Sequence, residues 1–95
     1  MLVYILYSKK IDRYYVGSTT KSIEERLQKH NTCGYGSKSY TSHTDDWVVF
    51  LEIGCDTYAQ AMKIEKHIKR MKSRKYIMNL KLYSDIIKRI LEKYK

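Results

Sequence analysis

The sequence predicts a small α+β domain, a three-stranded antiparallel sheet flanked by helices in the order β-β-α-β-α-α. Two short runs of β-branched and aromatic residues near the start, Leu2–Tyr7 and Tyr14–Gly17, are joined by a polar stretch, which makes a hairpin and an antiparallel sheet. A third such run spans Trp47–Ile53. Beyond it the apolar residues change to helical spacing, with Ala61, Ile64, Ile68 and Met71 forming one stripe. The chain has 95 residues, no proline, no repeat and no linker composition, so one domain covers residues 1–95.

Each element follows from local chemistry. Leu2 to Tyr7 is the first strand, and Tyr14 to Gly17 the core of the second. Thr20 or Ser22 can cap a helix over 23–30, whose positive N-terminal end suits Glu24 and Glu25. Residues 31–46 hold two glycines among many Ser and Thr and read as a loop. Trp47–Ile53 forms the third strand. Asp56 or Thr57 starts a helix reaching about Lys72, and an amphipathic helix over 84–93 ends the fold.

Charge points to the class of partner. Nineteen Lys and Arg against ten Asp and Glu leave a net charge of +9. The excess is uneven, at +2 over residues 1–50 and +7 over 51–95. Such a chain seeks an anionic partner, foremost nucleic acid. No apolar run approaches the roughly 20 residues that span a bilayer, and Leu2–Tyr7 is too short for a signal-peptide core. The only cysteines, Cys33 and Cys55, make no disulfide framework, so an intracellular, reducing compartment is expected. Cys33 with His30 resembles half a zinc site, but His43 and Cys55 complete it without helpful spacing. Membrane proteins, secreted disulfide scaffolds and multidomain enzymes are set aside.

Several side chains stand where folding alone does not call for them. Glu65 falls inside or beside the apolar stripe of its helix, where a carboxylate loses hydration unless a cation or metal compensates. Lys66 and Lys69 offer a structural ion pair, and a bound metal is the sharper alternative. In the first helix Arg26 and His30 share the side of Ile23 and Leu27 and lie one turn apart. An arginine there can fork onto a phosphate or pair with an acid such as Glu65. Ten of the twelve aromatic residues are tyrosines, more phenols than bulk alone requires. A four-residue hairpin loop, Lys9 to Asp12, pairs position 4 with 17 and 6 with 15, and so puts Tyr4 and Tyr15 on one face. Gly17 beside them permits a close approach of backbone or substrate. The run Lys63, Lys66, Lys69, Arg70, Lys72, Arg74 and Lys75 carries seven positive charges and one acid over thirteen residues, enough to contact several phosphates.

In order and spacing these positions resemble the GIY-YIG nuclease family over nearly the whole chain. Leu2-Val3-Tyr4 stands for the first triplet of the name motif and Tyr15-Val16-Gly17 for the second. Ser22 to Asn31 resembles the first-helix signature, Lys38-Ser39-Tyr40-Thr41 with Trp47 the loop and third strand of the small stand-alone branch, and Ala61 to Lys69 the Ala-x-x-x-Glu-x-x-Ile-Lys pattern. That branch is similar to the nuclease domain of structure-specific junction resolvases. Leu2 replaces the first glycine, as the small branch allows, and Ser18 stands where excision-repair relatives carry lysine.

The resemblance implies a DNA endonuclease that nicks or acts on branched or flapped DNA, as in repair or recombination. It implies Arg26 as catalytic, Glu65 as ligand of one Mg²⁺ or Mn²⁺, and Asn79 as a residue of the site. Tyr4 or Tyr15 acts as general base, with His30 positioning or relaying protons. Lys38, Tyr40 and His43 are candidate substrate contacts in the loop, beside the basic run. A protein partner or a homodimer through Ile86, Ile87, Ile90 and Leu91 is a further expectation. The alternatives are a nucleic-acid-binding module without cleavage and a structural RNA-associated protein.

Overall fold

Three strands of seven residues each, β1 (Leu2–Ser8), β2 (Arg13–Thr19) and β3 (Val48–Gly54), form one antiparallel sheet in the order β2-β1-β3. A computed structural model describes residues 1–32 and 44–95 of the chain. The hairpin joining β1 to β2 turns over Lys9 to Asp12, and its register pairs Tyr4 with Gly17 and Leu6 with Tyr15, as the loop length predicts. Asp12 takes a left-handed backbone (φ 51°), a conformation that Asp tolerates better than most residues. Its carboxylate accepts from the Tyr7 hydroxyl at 2.6 Å and from Arg74 Nη1 at 2.8 Å. Against β3 the register shifts between Ile5 and Leu6, leaving Phe50 as the extra residue of a bulge.

The alternation of β1 divides the interior in two. Val3 and Ile5 point to one face and meet Val16, Ile53 and the helices α2 (Tyr58–Met71), α3 (Arg74–Leu82) and α4 (Ser84–Lys93) through Ala61, Ile64, Ile68, Ile77, Leu80 and Ile90. Tyr4 and Leu6 point to the other, where Ile23 of helix α1 (Ile23–Asn31) and Trp47 close a smaller cluster. Sequestering two faces of a short sheet is what lets a chain of this size fold, at roughly 25 cal/mol per Å² of apolar area removed from water.

Caps set the helix starts. Ser22 accepts from the Glu25 N–H at 3.3 Å, Thr57 from Gln60 at 3.1 Å, and Ser73 from Tyr76 at 3.1 Å. The third of these opens α3, which adds a helix to the order expected from sequence and makes it β-β-α-β-α-α-α. A nine-residue helix is too short to stand on propensity, and α3 holds because Ile77 and Leu80 bury against the main core. Ile86, Ile87, Ile90 and Leu91, which suggest a dimer face from sequence, all pack on that same core. Among the described residues no helix is long and apolar enough to cross a membrane.

Candidate active site

Tyr4 and Tyr15 come from adjacent strands onto one face, with ring centroids 6.3 Å apart. His30, near the end of α1, sits against both. Its ring lies 5.9 Å from Tyr4 and 4.8 Å from Tyr15, and Nε2 is 3.0 Å from the Tyr4 hydroxyl. Tyr4 and His30 are each only 2 % exposed. Burial, followed by the positive charges of Arg26 and Lys29, pushes the His30 imidazole down to about 4, so it is neutral at neutral pH. Trp47 backs the cluster, 6.4 Å from the Tyr15 ring.

The α1 helix reaches this face because its apolar side, Ile23 and Leu27, lies on the Tyr4–Leu6 cluster. Asn31 at its end holds the start of β3. The Asn31 amide donates to the Trp47 carbonyl at 3.0 Å and accepts the Trp47 N–H at 2.7 Å. One turn before His30, Arg26 donates through Nε to Thr19 Oγ1 at 2.9 Å. Thr19 is buried at the end of β2 and its oxygen also accepts the Lys21 N–H at 2.9 Å. The guanidinium is therefore anchored to the sheet by its stem-side nitrogen.

Glu65 approaches from the opposite layer. Its side chain, 15 % exposed, pairs with Lys69 at 2.8 Å, and the Lys69 ammonium lies 5.9 Å from the centroid of the Tyr15 ring. Strand β2 is an edge of the sheet, which lets Lys69 of α2 on one face come beside the Tyr15 ring on the other. Tyr15 and Lys69 are the hinge between the two halves. The ion pair expected as one reading of Glu65 is thus present, on Lys69 rather than Lys66. Among the described residues no three His, Cys, Asp or Glu side chains gather as a metal cluster.

Tyr4, Tyr15 and His30 are in this way joined by contacts, Glu65 adjoins them through Lys69, and Arg26 stands one turn before His30 and acts on it electrostatically. Asn79 is not joined to them. It lies half-buried on α3, its carbonyl accepts the Tyr83 N–H at 2.8 Å, and its side chain makes no hydrogen bond among the described residues. All seven basic residues of the 63–75 run are exposed. Lys69, Lys72 and Arg74 line a cleft of about 370 Å³ beside Tyr15, which Lys63, Lys66, Arg70 and Lys75 do not line. Cys33, Lys38, Tyr40 and His43 fall outside the described residues. Thr19, Trp47 and the side-chain role of Asn31 were not legible as site residues. Only the β-strand position of Thr19, two after Gly17 on the same face, could have pointed to it.

The model of the GIY-YIG catalytic domain matches residues 1–78, ending one residue before Asn79. Comparison with curated proteins and comparison with solved structures each give no match. Residues 1–78 carry the whole sheet, the phenol pair, the anchored arginine and the α2 carboxylate, and with that match over most of its length the chain belongs to the GIY-YIG family of DNA-acting nucleases.

Proposed function

We propose that this protein is a metal-dependent endonuclease that hydrolyses DNA phosphodiester bonds, nicking duplexes or cutting at branched or flapped structures. The observation that carries the reading is the buried Tyr4–His30 hydrogen bond, with the Thr19-anchored Arg26 one turn before His30 and Glu65 adjoining through Lys69 and Tyr15.

The donor set suits Mg²⁺ or Mn²⁺. A small hard cation of this kind takes one or two carboxylates, keeps several waters and completes its shell with substrate phosphate. Glu65 is such a single carboxylate, partly screened from solvent and already attracting a cation. When bound there, one such ion supplies Lewis-acid polarisation of the phosphate and neutralises charge on the leaving oxygen.

The chain's own side chains do the rest. Arg26, held by Thr19, presents a planar cation to the phosphate, where negative charge grows as water attacks phosphorus. The water gives a proton to Tyr4 Oη while the Tyr4 hydroxyl proton passes to His30 Nε2, in the tautomer with Nδ1 protonated. This relay spares the site from ionising a phenol with an ordinary pKa of about 10. His30 is neutral before the transfer. Burial and the charges of Arg26 and Lys29 disfavour its protonated form, so it passes the proton on toward the leaving oxygen rather than keeping it. Tyr15 packs beside the imidazole and orients it.

The test is a nicking assay with Mg²⁺ or Mn²⁺ on plasmid and on flapped and four-way DNA. Metal-dependent product that Glu65→Ala and Arg26→Ala abolish is the expected result. Full activity in either variant overturns the assignment, and salt-sensitive DNA binding without any product makes the chain a binding module.

A further inference from the structure

We propose that the cleft between strand β2 and the α2–α3 corner seats a neighbouring backbone phosphate of the substrate strand, within a few nucleotides of the reacting bond. The inference rests on the nuclease reading above and adds a subsite to it. The cleft, about 370 Å³, has Ile68 and Ile77 in its wall, Lys69, Lys72 and Arg74 as its cations, and no acidic side chain among its lining residues. It shares Tyr15 and Lys69 with the Glu65 ion pair, so it is continuous with the proposed reaction centre.

The three cations differ in what already holds them. Lys69 is paired with Glu65. Arg74 donates to the Asp12 carboxylate and carbonyl and lies 5.5 Å from the Tyr14 ring, which fixes it as part of the wall. Lys72 makes no ion pair or hydrogen bond among the described residues, and is exposed at the turn where α2 ends. Its charge is the one available to an incoming anion. Seven residues separate Glu65 from Lys72, which is about 10 Å along a helix at 1.5 Å per residue. That offset is too long for Glu65 and Lys72 to meet the same phosphate, so Lys72 takes a neighbouring phosphate of the strand rather than the reacting one.

The experiment measures affinity for a fluorescently labelled DNA duplex in metal-free buffer across a KCl series, for the wild type, Lys72→Gln and, as a charge control, Lys88→Gln on α4. Loss of one phosphate contact lowers the slope of log K against log salt by about one. That drop is expected for Lys72→Gln and not for Lys88→Gln. Equal slopes in the two variants overturn the cleft. A second arm uses duplexes with single uncharged methylphosphonate linkages stepped away from the mapped cut site. One linkage within a few nucleotides of the cut is expected to weaken the wild type and to leave Lys72→Gln unaffected. If Lys72→Gln does not fold, a wild type indifferent to every linkage from one to four nucleotides away overturns the proposal by itself. A wild type that cleaves with Mg²⁺ yet shows none of these shifts loses the cleft alone. One that shows the Lys72-dependent fall in salt slope and never cleaves keeps the cleft as a DNA-binding subsite and loses the nuclease reading.

Discussion

The Tyr4 hydroxyl lies directly over the bare backbone of Gly17. A Cβ at position 17 would fall 2.6 Å from the Tyr4 oxygen, 2.7 Å from its Cζ and 3.1 Å from a Tyr15 ring carbon. The two residues are register partners in the hairpin, so the phenol that bonds His30 occupies space which any larger residue at 17 would claim. Gly17→Ala is therefore expected to push Tyr4 off His30. Overpacking of this kind costs about 1–3 kcal/mol of stability, and loss of the hydrogen bond should slow nicking by roughly tenfold or more. Urea unfolding together with single-turnover nicking checks both effects. Gly54→Ala, where nothing lies within 4 Å of an added Cβ, should leave the nicking rate at the wild-type value.

The depressed His30 imidazole gives stability a pH dependence of definite sign. Its folded pKa is about 4, below the unfolded value of about 6.5. Between those values the unfolded chain binds more protons, so stability is complete above about pH 6.5 and falls as pH drops toward 4. A gap of that size corresponds to up to roughly 3 kcal/mol. His67, also lowered by burial and by Lys93 and Arg70, adds a slope of the same sign. Comparing wild type with His30→Gln by urea unfolding at pH 5 and pH 7.5 isolates the His30 share. An unchanged difference between the two pH values in His30→Gln rules that share out.

Glu65→Gln separates chemistry from architecture. The ion pair it removes is half-exposed on the lysine side, and pairs of that kind are worth about 0–1 kcal/mol. Thermal unfolding should shift by no more than a few degrees, while Mg²⁺-dependent nicking should fall by about a hundredfold or more with the loss of the charged oxygen. Parallel losses of stability and activity would assign Glu65 to the fold alone.

Thr19→Val tests the anchor beneath Arg26. The swap keeps the shape of the side chain but removes the acceptor of the Arg26 Nε–H. Nicking is expected to drop by about tenfold, the scale of a misplaced transition-state group. Arg26→Lys should lose more, since the ammonium keeps the charge but neither the fork nor the Nε contact. The ratio of single-turnover rates, with DNA affinity measured beside it, decides.

Helix α3 gives a prediction about the fold itself. Ser73 caps it by accepting the Tyr76 N–H, and Ser73→Ala should lower stability by about 1 kcal/mol in urea unfolding. Because α3 also carries Arg74 onto the Asp12 turn, the hairpin should loosen with it. Faster amide exchange at Tyr7 and Tyr14 is the readout.

Much of this molecule is written locally. The three strands, the helices over 23–31, 58–71 and 84–93, the four-residue hairpin loop and the shared face of Tyr4 and Tyr15 follow from strand alternation, helical spacing, capping residues and loop length. These are signals between near neighbours in the chain. Helix α3 was illegible because its nine residues gain their stability from a core assembled by distant segments. The same holds for the site. That Arg26, His30 and Glu65 were unusual could be read from their places on apolar helix faces. The Glu65–Lys69 pair is itself a local i, i+4 spacing, whereas the anchoring of the arginine by Thr19 and the joining of the two layers by Tyr15 and Lys69 beside the edge strand β2 depend on how the helices pack across the sheet. Sequence alone therefore determined the elements and the residue types that carry the chemistry. Tertiary structure decided which of them touch, because the site spans both faces of a sheet and no local spacing measures a distance across it.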